Sequence, residues 1–164
     1  YLIANQVRRY LDSLELLALT IEGTAACAAS HITREKIQEA KTKIQRLWNE
    51  EYIYGRTPAV LLDLIIEHTE IDALNAVYTL LQRNLRIGRS IPGLLNTDKT
   101  IMNCKIHEQC VEAIDLLYMG KHEAFSKKSA EAFQSIYHLV IMECKKLGCY
   151  EAAMGAYDGS ALWK

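Results

Sequence analysis

"LALTIEGTAACAASHIT", residues 17–33, decides how this chain is read. Bulky Leu17, Leu19 and Ile21 give way beyond Gly23 to Ala25, Ala26, Cys27, Ala28 and Ala29. Leu14, Leu17, Ile21, Ala25 and Ala28 recur at the spacing of one helical face. A helix that turns small over its last turns lets a neighbouring helix approach closely. Gly23 costs ~1 kcal/mol against alanine in a helix interior. Close packing is the expected compensation, and a simple alanine-rich helix end is the other reading.

Working outward, the same period continues nearly everywhere, and no strand-like alternation is sustained. Two prolines and eight glycines leave long stretches uninterrupted. The pattern predicts an all-α, antiparallel bundle of about six helices in one domain, residues 1–164. Residues 1–12 form a partly helical entry segment. Helix one runs over about 13–30, capped by Asp12 or Ser13. Thr33 caps the second, 34–50, with Glu35 near its positive N-terminus. Thr57-Pro58 opens the third, whose "AVLLDLIIEH" is apolar almost all round. The fourth, about 70–88, carries Leu74, Val77, Leu81 and Leu85 inward. "GRSIPGLLNTDK", residues 88–99, is the longest loop, with Thr97 or Asp98 capping the fifth helix, about 98–118. The sixth, about 121–147, carries Phe125, Ala132, Ile136 and Val140 and ends at Gly148 in the position after the C-cap. Residues 149–164 are a tail able to dock.

Composition excludes some function classes. Half of the 164 residues are hydrophobic, enough for a packed core. A net charge of -1 argues against binding a phosphate backbone directly. No apolar run reaches the ~18 residues of a membrane span. Five cysteines without a Cys-x-x-Cys point to reduced thiols in a cytoplasm rather than to zinc.

Few residues invite chemistry. His107 shares a helical stripe with Cys104, Val111, Ile114 and Tyr118, as either a ligand-facing imidazole or a core histidine. Asp63 and Glu67, one turn apart, are either an acid/base or metal pair, or with Glu70 a narrow solvated face. His68 suits the C-terminus of the third helix. Arg83 and Arg86 are either carboxylate clamps or C-terminal solvating groups. Ser129, Glu131 and His138 punctuate the sixth helix, and His138 lies off its apolar stripe. There is no phosphate loop, nucleophile elbow or His-x-x-x-His pair.

Two stretches resemble a known family. "LLALTIEGTAACAASHITREKI" is similar to the opening helix of the sensing domain of GntR-type bacterial transcription regulators, the FadR-C-terminal-like (FCD) class. The match is carried by Ile21-Glu22-Gly23, Ala25-Ala26, Ala28-Ala29 and Thr33. "IHEQCVEAIDLLYMGKHEAFSKKSAEAF" resembles that family's penultimate-to-last helix junction, through His107, Val111, Ala113 and Ile114. The resemblance spans residues 13–147.

It implies a helical bundle with a central effector cavity, often holding a divalent metal. The metal's ligands would be an Asp and a His on the third helix, the histidine matched by His107, and a histidine on the last helix. Here Pro58 and Leu62 occupy the first two places, and Ser129, or Glu131 with a small gap, the last. A cavity without a metal or other cofactor is therefore expected. Its ligand contacts would come from His107, Arg83, Arg86 and Ser129, and its effector would be a small metabolite such as an organic acid. The resemblance further implies a cytoplasmic homodimer that is not an enzyme, has no membrane partner, and reaches DNA only through a winged-helix half absent from residues 1–164. The other readings are a ligand-free helical adaptor, a TetR-like sensor domain, and a helical enzyme or metalloprotein using His107 with Asp63 or Glu67.

Overall fold

A computed structural model of the chain describes residues 2–50, 56–90 and 101–155. Among these residues there are seven α-helices and no strand. They are α1 (Leu2–Ala29), α2 (Arg34–Glu50), α3 (Arg56–Glu67), α4 (Asp72–Leu85), α5 (Ile101–Tyr118), α6 (His122–Lys146) and α7 (Cys149–Gly155). A 3₁₀ turn, Arg86–Ser90, follows α4. No helix among the described residues is long and apolar enough to cross a membrane.

The central pair is α1 against α6. Three cross-contacts set its direction: Arg8 reaches Met154 just beyond α6, Glu15 meets Tyr137, and the charge of Glu22 is felt at Lys127. Rising numbers on α1 meet falling numbers on α6, so the pair is antiparallel. The alanine end of α1 lies beside the start of α6. Ala25, Ala28 and Ala29 are buried there with Phe125, Ser129 and Ala132. Bulky Leu14, Leu17 and Ile21 fill the other half of the α1 core face. The switch from large to small is thus a packing gradient along one helix.

Several sequence expectations need correction. The entry segment is part of α1, which runs unbroken from Leu2. Asp12 pairs with Arg8 at 3.0 Å, and Ser13 is buried inside the helix, so neither is a cap. Gly23 faces open space, with nothing within 4 Å of a Cβ built on it, so close packing does not explain it. On α4, Val77 is 44% exposed and Tyr78 takes the core position. Tyr78 is buried with its hydroxyl bonded to Thr20 Oγ1 at 2.9 Å and Thr24 Oγ1 at 2.8 Å. A phenol can enter a core when its hydroxyl finds partners there. On α5 the buried face is Ile106, Cys110, Ala113, Ile114 and Leu117. His107 and Val111 sit half-buried at its edge, and Tyr118 is exposed under the Arg34 guanidinium.

Other details match. Thr33 Oγ1 accepts the Lys36 N–H at 3.3 Å at the start of α2. Gly120 and Gly148 take φ of 75° and 72°, the left-handed turn that ends a helix. His68 Nδ1 donates to the Leu64 carbonyl at 2.8 Å, as a C-terminal histidine should. His138 is exposed. The tail docks as far as described: α7 lies on α1 and α6 and buries Ala153. The predicted Thr97 or Asp98 cap lies outside the described residues.

Two glycines make opposite predictions. Gly23→Ala should raise unfolding stability by about 0.5–1 kcal/mol, because the helix gains propensity and nothing is struck. At Gly88 an added Cβ would lie 2.5 Å from Tyr10 Cζ, forcing that ring to move. Gly88→Ala should cost about 1–3 kcal/mol. Urea titration of the two variants against the parent chain measures both.

Candidate functional site

Away from the alanine end, the helices enclose a cavity of about 470 Å³. Pockets that take small organic ligands span roughly 300–1,000 Å³. Its walls come from six helices, α1 to α6, and the 3₁₀ turn. The first half of α1 gives Tyr10, Leu14 and Leu17, and α6 gives Phe133 and Ile136. One face of α3 presents Thr57, Pro58, Leu62, Asp63, Ile66 and Glu67. Gln82, Leu85, Arg86 and Gly88 close one side, and Asn103, Ile106 and His107 of α5 the other. Trp48, at the end of α2, completes the lining.

Two polar features organise this space. The first is a flat stack of Trp48 on His107, with ring centroids 4.0 Å apart and planes 10° from parallel. Position 107 lies at the edge of the α5 core face, which turns its imidazole to the cavity and brings it against the indole. The second is the α3 wall. Asp63 and Glu67, one turn apart, both line the cavity. Gln82 Nε2 donates to Asp63 Oδ1 at 2.8 Å, tying α4 to α3. Burial, and then the Glu67 charge, push the Asp63 carboxyl above the ordinary aspartate range. Lys43, the Gln82 hydrogen bond and Arg86 pull the other way without overcoming them.

Of the four expected ligand contacts, the structure brings together two. His107 and Arg86 line the cavity. Arg83 is exposed and outside the lining, because it falls on the outer face of α4. Ser129 is fully buried and donates to the Phe125 carbonyl at 2.8 Å, the usual retreat of a serine inside a helix. Asp63 is more than part of a solvated face: it is half-buried and hydrogen-bonded. Sequence reasoning missed Trp48, Tyr10 and Asn103. Trp48 had a readable signal, since it follows Ile37, Ala40, Ile44 and Leu47 at the margin of the α2 stripe.

The donor set does not fit the metal that the family resemblance implies. Pro58 and Leu62 line the cavity and offer no ligand atom, and Ser129 is turned to a carbonyl. Among the described residues no group of three His, Cys, Asp or Glu side chains is placed to hold a metal. The buried cysteines are poor nucleophiles as well: burial pushes Cys110 and Cys144 up to about 12.

Comparison with family models, with curated proteins and with solved structures finds no match to this chain.

The raised Asp63 carboxyl makes a pH prediction. Between the ordinary aspartate value of 3.8 and its higher folded value, the native chain holds a proton that the unfolded chain has released. Stability therefore falls as pH rises through that window, and the cost stays in full above it. Asp63→Asn removes the charge but still accepts from Gln82. It should melt above the parent at neutral pH, and the gap should close as the pH drops below 3.8. Melting curves of both proteins across that range test it, and a constant gap would disprove the assignment.

Proposed function

We propose that this chain is the effector-sensing and dimerising domain of a bacterial transcription regulator of GntR type, binding a small metabolite inside its helical bundle. The observation that carries the reading is the cavity of about 470 Å³, with His107, Asp63, Gln82 and Arg86 converging on an otherwise largely apolar wall. A fully packed adaptor would fill that space, because each cavity of such size costs packing energy. The family assignment rests on the two stretches around Gly23 and His107, and His107 lines the cavity as that likeness requires. Binding rather than turnover is the proposed activity. On this reading the protein is cytoplasmic, and DNA is contacted through a separate winged-helix domain.

An effector at about a hundredfold over its dissociation constant would add ~2.7 kcal/mol. At roughly 2–4 °C per kcal/mol for a domain of this size, melting should rise by about 5–11 °C. A thermal screen of cellular metabolites tests this. His107→Ala should fold, lose about 1 kcal/mol with its aromatic stack, and lose the ligand-induced rise. An unfolded variant, together with a screen without hits, would favour the packed adaptor.

The dimer has its own support. The neighbouring helices α1 and α4 leave Leu16, Leu19, Val77 and Leu80 between 42% and 76% exposed. Paired regulators bind paired half-sites, so such a face is expected to meet a second copy. Sedimentation at tens of micromolar should give a dimer, and Leu19→Glu combined with Leu80→Glu should give a folded monomer. A parent chain that sediments only as a monomer would contradict this reading.

A further inference from the structure

We infer that the ligand of this cavity carries a protonated amine, seated on the α3 wall at Asp63 and Glu67, with its apolar body against the Trp48–His107 stack. The inference rests on the reading of the cavity as an effector site and names the class of effector.

Two carboxylates line one helical turn of the cavity, and Asp63 is the deeper of them. Only one of its oxygens is engaged among the described residues, by Gln82 Nε2 on Oδ1. The cationic side is thinner. Arg83 lies outside the cavity, and Arg86 is an exposed residue at its margin. At Asp63 the Glu67 charge outweighs each of the two cations that reach it, Lys43 and then Arg86. An organic acid placed in this cavity would set its charge against both carboxylates. An ammonium would relieve their mutual repulsion and donate charge-assisted hydrogen bonds to Asp63.

Other parts of the lining fit the rest of such a molecule. Trp48 and His107 form a parallel aromatic stack in the lining, whose ring edges and outer indole face suit a flat or aliphatic body and attract cations. Leu14, Leu62 and Ile136 supply apolar contact beside it. The wall therefore reads as an amine subsite next to an apolar one.

Size-matched pairs with the same body and opposite charge test this on the full chain. 2-Phenylethylamine is compared with 3-phenylpropionate, and hexylamine with hexanoate, at millimolar concentration by calorimetry and by tryptophan fluorescence. At least one amine should bind and its carboxylate twin should not. Asp63→Asn, verified by its melting curve as folded, should weaken amine binding by about tenfold or more. Phenylalanine distinguishes the sources of the amine: binding lost in both Asp63→Asn and Arg86→Gln supports the inference and identifies an amino acid, its carboxylate held by Arg86. Carboxylates that bind as well as the amines, or amine binding unchanged in Asp63→Asn, overturn the amine inference while the effector-site reading stands. Absence of binding by every amine overturns it too, and a metabolite screen that is also empty takes the effector-site reading with it.

Discussion

The antiparallel contact between α1 and α6 is what the other helices are arranged around. Its two halves differ physically. Toward the C-terminal end of α1, Ala25, Ala28 and Ala29 face inward and let α6 come close. Toward the N-terminal end, Leu14, Leu17 and Tyr10 line the cavity. Burial of a continuous apolar face on each helix drives the pairing, and the change of side-chain volume along α1 sets where it is tight. Helix α7 clips the far end, with Arg8 reaching Met154 and Ala153 fully buried.

The cavity follows from that gradient. It lies where α1 carries large side chains, with residues of α3, α4 and α5 among its walls. Helix α4 is held on α1 by the Tyr78 hydroxyl between Thr20 and Thr24. It is held on α3 by Gln82 on Asp63. Those two hydrogen-bonded links fix the side of the cavity that carries Arg86 and Gly88. A buried polar link of this kind is costly to leave half made, so it specifies the position of α4 more sharply than apolar contact would.

The charge on the cavity wall changes what it is fitted to hold. An organic acid is the natural guest if Arg83 and Arg86 both point inward and the α3 carboxylates point to solvent. The helical phases are different. Asp63 and Glu67 share the cavity face of α3, while Arg83 is carried to the outside of α4. On the proposed reading, the helical phases of α3 and α4 set the sign of the ligand. The metal that the family resemblance implies does not fit either, since Pro58 and Leu62, which offer no ligand atom, stand at the places of its ligands on the third helix.

Much was legible from local pattern. The 3.6-residue period of apolar side chains, Thr33 before α2, Gly120 and Gly148 after α5 and α6, and the apolar run of α3 each act within a few residues, so the chain alone determined an all-α bundle and most helix ends. His107 as an inward-facing polar group belongs here too, although its stripe was misplaced by part of a turn. Three things depended on residues distant in sequence. Whether Val77 or Tyr78 entered the core turned on Thr20 and Thr24, more than fifty positions away, because a phenol is buried only where its hydroxyl is paired. Whether Asp63 met water or a cavity turned on Gln82 and the helices beyond it. Trp48 became part of the site only when α2 was laid against α5 and its indole met His107. Helical periodicity says which residues share a face, but the neighbour that covers the face, and the gap left between neighbours, are settled by how several helices fit together at once.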